Sequence, residues 1–132
     1  WRLDCHAAAR ITGPLLWRDM RSGDQVCRPE ELGDVILGRK DCAASYHIAV
    51  VVDDAAQGVT HVSRGEDLFP VTGIHRTLQA LLGLPVPQWY HHRLVKDASG
   101  KRLAKRDRSL SLQEMRAAGM RPEDVFRLMR ES

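Results

Sequence analysis

A chain of 132 residues with 43% hydrophobic residues and a net charge of +3 can bury the core of one domain, and its mild basicity permits a polyanionic partner without requiring one. Three widely separated cysteines, Cys5, Cys27 and Cys42, form neither a CxxC pair nor an even framework, which favours reduced thiols over disulfides or zinc. No apolar run approaches the roughly 20 residues of a membrane span and no signal peptide is visible, so no membrane partner and a cytoplasmic location are expected.

The chain opens with Trp1 rather than methionine, so a start inside a longer protein is expected. The alternation from Trp1 to Cys5 and the apolar run Leu15 to Asp19, separated by Gly13-Pro14, predict two modest strands. Arg21 to Asp24 reads as a turn, Pro29 to Gly33 as a single helical turn or loop, and Asp34 to Asp41 as a strand. In the next segment Ile48, Val51, Val52 and Ala55 fall at helical spacing, Gly58 is a stop and Ser45 can cap the start. The β-branched run Val50-Val51-Val52 argues for a strand instead; periodicity and glycine together select the helix. Val59 to Ser63 alternates as a short strand whose carboxyl end delivers Arg64, and ligands of open α/β sheets gather at such ends.

From Pro70 the residues Val71, Ile74, Leu78 and Leu81 recur at helical spacing until Gly83 and Pro85. Gln88 to Val95 reads as a further strand, so a right-handed crossover and a parallel sheet are predicted. Lys96 to Gly100 is a turn, and Lys101 to Arg108 holds five basic residues and one acid. Ser111 with Glu114 forms a capping box, with Leu110 and Met115 as a possible staple. That helix stops at Gly119, and Pro122 opens a last one with Val125, Phe126 and Met129 on its apolar side.

Few of these residues declare a chemistry by themselves. Arg64 fits a surface ion pair or a bidentate carboxylate clamp, and the basic segment fits a solvated loop or a cationic loop closing over phosphates. Tyr46 fits a half-buried packing role. Asp53 and Asp54, being adjacent, point in different directions and read as structural or solvated. The six histidines lack an HxH or HxxxH set and read as ordinary polar residues. No P-loop, GxGxxG or GxSxG is present.

Three segments in one order carry more. Tyr46 to Asp54, Gly58 to Leu68 and Gly100 to Arg106 together resemble the second half of a class I glutamyl-tRNA synthetase catalytic domain, and the resemblance runs from about Arg2 to the end. Gln57-Gly58-Val59, Leu81 to Pro85 and the short remainder after the basic segment resemble most the glutamyl-Q tRNA(Asp) synthetase branch, which lacks an anticodon-binding domain. The resemblance implies an α/β Rossmann-type fold with parallel strands. Residues 1–33 would be a β-rich segment leading back from an inserted region, 34–96 the second half of the catalytic domain, and 97–132 a KMSKS-type loop and terminal helices. It also implies a strand from Tyr46 to Val52, against the periodicity.

The implied activity is adenylation of L-glutamate by ATP with Mg2+, then transfer of glutamate to queuosine in the anticodon of tRNA(Asp), by a protein expected to be monomeric. By position, Tyr46 and Arg64 would bind glutamate. Arg102, Leu103, Ala104, Lys105 and Arg106 would form the KMSKS-type signature, with Lys105 as the catalytic, ATP-binding lysine. Arg102 keeps the charge of the usual lysine, whereas Ala104 removes a hydroxyl. The HIGH-type motif, the remaining glutamate-pocket residues and any zinc region would precede Trp1, so this chain is expected to hold no metal ligands and to be inactive alone. The alternatives are part of an ordinary glutamyl-tRNA synthetase, or a non-catalytic basic α/β module that binds RNA or protein.

Overall fold

A computed structural model describes residues 1–96 and 111–131, without the side chain of the last of these. The chain divides into two compact units, Trp1–His92 and Arg93–Ser132. The first contains strand β1 (Arg2–Leu3), helix α1 (Cys5–Thr12), strands β2 (Leu16–Asp19), β3 (Gly23–Val26) and β4 (Val35–Ile36), helix α2 (Tyr46–Ala56), strand β5 (His61–Gly65), helix α3 (Thr72–Leu82) and strand β6 (Gln88–His92). Short 3-10 turns cover Pro29–Leu32 and Glu66–Leu68.

A four-stranded mixed sheet in the order β3-β2-β6-β5 carries the unit, with β1 and β4 forming a separate antiparallel pair. β2 pairs antiparallel with β3, but β6 runs parallel to both β2 and β5. The β5-α3-β6 segment is thus the crossover that the alternation of strand, helix and strand predicts. In the parallel register Val62 faces Trp89 and Arg64 faces His91. Because β-strand side chains alternate between faces, that register places the arginine and the histidine side by side.

The core of the unit is made by helices as well as sheet. Cys5 of α1, Val51 of α2 and Ile74 and Leu78 of α3 form a buried cluster, with Leu3, Val35, Leu37, Ile48, Val50 and Leu84 packed around it. On the sheet, the ring of Trp17 lies edge-on to Phe69, Trp89 and His91 at 4.9, 5.7 and 5.8 Å between centroids. These aromatic contacts fix where the ends of β2 and β6 stand relative to the 3-10 turn after β5.

At two of its helices the expectations for this unit need correction. Tyr46 to Val52 is helical, not the strand that the family resemblance implied. Three β-branched residues in a helix together forfeit at most about 2 kcal/mol, whereas full burial of Val51 contributes roughly 1.5–3 kcal/mol and the packing of Ile48 and Val50 against the core adds to it. Ser45 occupies the cap position, yet its side chain makes no cap hydrogen bond. The strand expected over Trp1 to Cys5 is confined to Arg2–Leu3, and Cys5 already begins helix α1, which takes in the alanine run. Asp4 Oδ1 accepts from the Ala7 backbone N–H at 2.8 Å, and Gly13, at φ 67°, ends the helix by donating to Ala9.

The second unit is described through helices α4 (Leu112–Ala117) and α5 (Pro122–Glu131). The predicted capping box is present. Ser111 accepts from the Glu114 backbone N–H, and the Glu114 carboxylate accepts from the Ser111 backbone N–H at 2.7 Å.

Candidate functional site

At the carboxyl ends of β5 and β6, four elements converge on Arg64. The arginine is the fourth residue of β5 and only 9% exposed. A buried guanidinium needs hydrogen-bond acceptors and a compensating charge. The acceptors are neutral. Nε donates to His91 Nε2 at 3.0 Å, Nη1 to His75 Nδ1 at 3.1 Å and Nη2 to the Thr72 hydroxyl at 2.6 Å. Thr72 and His75 stand one turn apart on the first turns of α3, the spacing that puts two side chains on one helical face.

Because a guanidinium can only donate, these contacts fix the tautomers of both rings. His91 accepts at Nε2 and therefore carries its proton on Nδ1, which donates to Asp19 Oδ2 at 2.7 Å. His75 accepts at Nδ1 and donates from Nε2 to His47 Nδ1 at 3.0 Å. The result is a continuous hydrogen-bonded series from Asp19 through His91, Arg64 and His75 to His47. Its negative end is one imidazole removed from its positive centre.

Electrostatics follow from this arrangement. Burial, then the positive charge of Arg64, then the neighbouring His47 and His91, push the His75 pKa down to about 3, so the ring is neutral at any physiological pH. Burial and Arg64 also lower His47. His91 is lowered chiefly by burial, against the opposing pull of Asp19. Burial alone would raise Asp19, but hydrogen bonds from the His91 ring and from the backbone of Ser22, Arg21 and His91 hold it below the usual carboxylate range. Arg64 itself is pushed down by burial and supported, in order, by Tyr46, Asp54 and Asp67; an arginine keeps its charge under such a shift.

Tyr46 and Arg64, the two glutamate-binding expectations in the described residues, are brought together. The Tyr46 phenol lies beside the guanidinium and favours its charged form, and its half-exposed ring lies edge-on to His47 and His75, each at 5.7 Å. Arg102, Leu103, Ala104, Lys105 and Arg106 lie outside the described residues. His47, His75 and His91 are not the ordinary polar histidines expected from sequence, whereas His6, His61 and His92 are exposed. Thr72 and Asp19 also belong to the site, and nothing in their local sequence marks them. The pairing signal was faint: only the i, i+3 spacing of Thr72 and His75, and the equal offset of Arg64 and His91 from their strand starts, hinted at it.

Among the described residues no cluster of three or more His, Cys, Asp or Glu is placed to hold a metal ion. The residues expected to meet ATP phosphates, and with them any Mg2+, are those of the basic segment.

Residues 7–131 match the family model of the tRNA synthetases class I (E and Q), catalytic domain. The chain belongs to this family. It is 53% identical over 132 residues to the glutamyl-Q tRNA(Asp) synthetase of Rhodobacter capsulatus, covering 97% of this chain and 48% of that protein. It is 34% identical over 121 residues to glutamate–tRNA ligase 2 of a Nitratiruptor species, covering 92% of this chain and 26% of that protein. Among solved structures, the glutamate-tRNA synthetase of Elizabethkingia anophelis superposes with a TM-score of 0.61 at 30% identity, over 71% of this chain and 19% of that one. This class I catalytic-domain chain therefore spans about half the length of the first of these relatives or less. The coverage does not support the expected placement in a carboxyl-terminal half. The α/β architecture with parallel strands is that of the family.

Proposed function

We propose that this chain supplies one wall of the glutamate site of a glutamyl-Q tRNA(Asp) synthetase, which activates L-glutamate with ATP and Mg2+ and transfers it to queuosine in the anticodon of tRNA(Asp). The observation that carries the reading is a buried arginine whose direct acceptors are two imidazoles and a hydroxyl. Such a cation is oriented but not neutralised at contact distance, so an incoming carboxylate meets its undischarged field. Tyr46 stands beside it, able to fix the orientation of the bound amino acid. The 53% identity to a protein of that name supports the specificity for tRNA(Asp).

In this reading Arg64 grips a ligand carboxylate and thereby orients the α-carboxylate for attack on the α-phosphate of ATP. Lys105, with Arg102 and Arg106 flanking it, meets the ATP phosphates and stabilises charge on the departing pyrophosphate. Mg2+ would add neutralisation of the phosphate oxygens. Rate enhancement then comes from positioning and electrostatics.

Glutamate-dependent ATP–pyrophosphate exchange by the full-length protein separates these roles. Arg64→Ala should raise the KM for glutamate at least about tenfold with the KM for ATP little changed, as expected when a hydrogen-bonded charge contact is lost. Lys105→Ala should instead lower kcat by about 10²–10³. If Arg64→Ala leaves the glutamate KM unchanged, the site reading is wrong.

A further inference from the structure

We infer that His75 is a positioning residue acting through Arg64, its Nδ1 fixing Nη1 of the guanidinium so that the remaining N–H groups on the two terminal nitrogens, not Nε, meet the ligand carboxylate. The inference rests on the reading of Arg64 as the carboxylate-binding group. Three of the five guanidinium N–H groups are committed, one from each nitrogen. With Nε held by His91, the edge of the guanidinium that pairs Nε with a terminal nitrogen is closed to a ligand. After these three contacts one N–H is left on Nη1 and one on Nη2, beside the Tyr46 phenol and in the field of the Asp54 and Asp67 carboxylates.

Packing alone does not require an imidazole at this position. His75 is 2% exposed, on a helix whose neighbouring buried positions Ile74 and Leu78 are apolar. An unpaired imidazole there would lose its hydration without return, yet both ring nitrogens of His75 are engaged, one by Arg64 and the other by His47. The acceptor is also of a suitable kind. A carboxylate at the same place would hold the guanidinium equally well but would cancel its charge, and the attraction for an incoming carboxylate would fall with it. A neutral ring nitrogen fixes direction and leaves the charge to the ligand. The same holds on the opposite side, where His91 separates Arg64 from Asp19.

The test compares His75→Phe, His75→Asn, His75→Gln and Arg64→Ala in the full-length protein, by glutamate-dependent ATP–pyrophosphate exchange. Phenylalanine keeps the volume and removes the acceptor. Asparagine places a carbonyl oxygen near the position of Nδ1, whereas glutamine places it further out. His75→Phe should raise the KM for glutamate about ten- to hundredfold, with the KM for ATP and kcat at saturating glutamate within about threefold of the parent; His75→Asn should restore most of the loss. A glutamate KM within twofold of the parent in His75→Phe overturns the inference. Should that variant not fold, the asparagine and glutamine variants decide: a lower glutamate KM for asparagine is expected, and equal values overturn it. An unchanged glutamate KM in Arg64→Ala overturns the underlying site reading as well. A raised KM in Arg64→Ala with no effect of His75→Phe overturns the positioning role alone.

Discussion

A histidine held neutral beside a buried arginine ties stability to pH. His75 has a pKa of about 3 in the folded protein and an ordinary value of about 6.5 once unfolded. Between those values the unfolded chain binds a proton that the folded chain refuses, so stability is fully present above about pH 6.5 and falls as pH drops toward 3, by about 1.4 kcal/mol per pH unit. His47 and His91 are lowered as well and act in the same direction. Asp19, also lowered, withdraws its own contribution only at more acid pH. Urea midpoints of the full-length protein should therefore fall from pH 7 to pH 4.5, and His75→Asn should show a shallower fall because one such proton is removed. Parallel slopes would contradict the assignment. At this scale Arg64 was partly legible, since a strand end is where a ligand arginine belongs, although the sequence left it open between an ion pair and a clamp. The histidines were not legible. Metal-type spacing is a local pattern, whereas His47, His75 and His91 come from a helix, another helix and a strand; the β5/β6 register brings His91 to Arg64, and α2 and α3 bring His47 and His75 to it.

Elements carry both the core and the site, and α3 shows why the two are coupled. Ile74 and Leu78 fill the core from one side of the helix while Thr72 and His75 reach Arg64 from another. Ile74 is fully buried, so Ile74→Ala should destabilise the protein by about 2–5 kcal/mol, measured as a shift in chemical unfolding. A loss under about 1 kcal/mol would mean that α3 is not packed as described. This helix was readable because its apolar spacing, Pro70 before it and Gly83 after it agree, and Gly83 adopts the left-handed conformation at φ 63° that favours glycine. In α2 the periodicity and the β-branched run disagreed, and burial of Val51 decided for the helix. The strand β3 escaped because Gly23-Asp24 carries a turn signature; it forms by pairing with β2, with Leu16 opposite Val26 and Asp19 opposite Gly23. A strand made by its partner in a hairpin leaves little mark on its own composition.

At the scale of the whole molecule, the chain spans about half the length of a glutamyl-Q tRNA(Asp) synthetase to which it is similar. Spanning only about half of such a relative, the 132-residue chain by itself should give no glutamate-dependent pyrophosphate exchange, even where circular dichroism shows it folded; robust exchange would mean that the described wall is sufficient. The most direct test is transfer of radiolabelled glutamate by the full-length protein to tRNA(Asp) carrying queuosine, measured beside unmodified tRNA(Glu). Labelling of the queuosine-containing tRNA(Asp) without charging of tRNA(Glu) is the predicted result, and charging of tRNA(Glu) alone would contradict it.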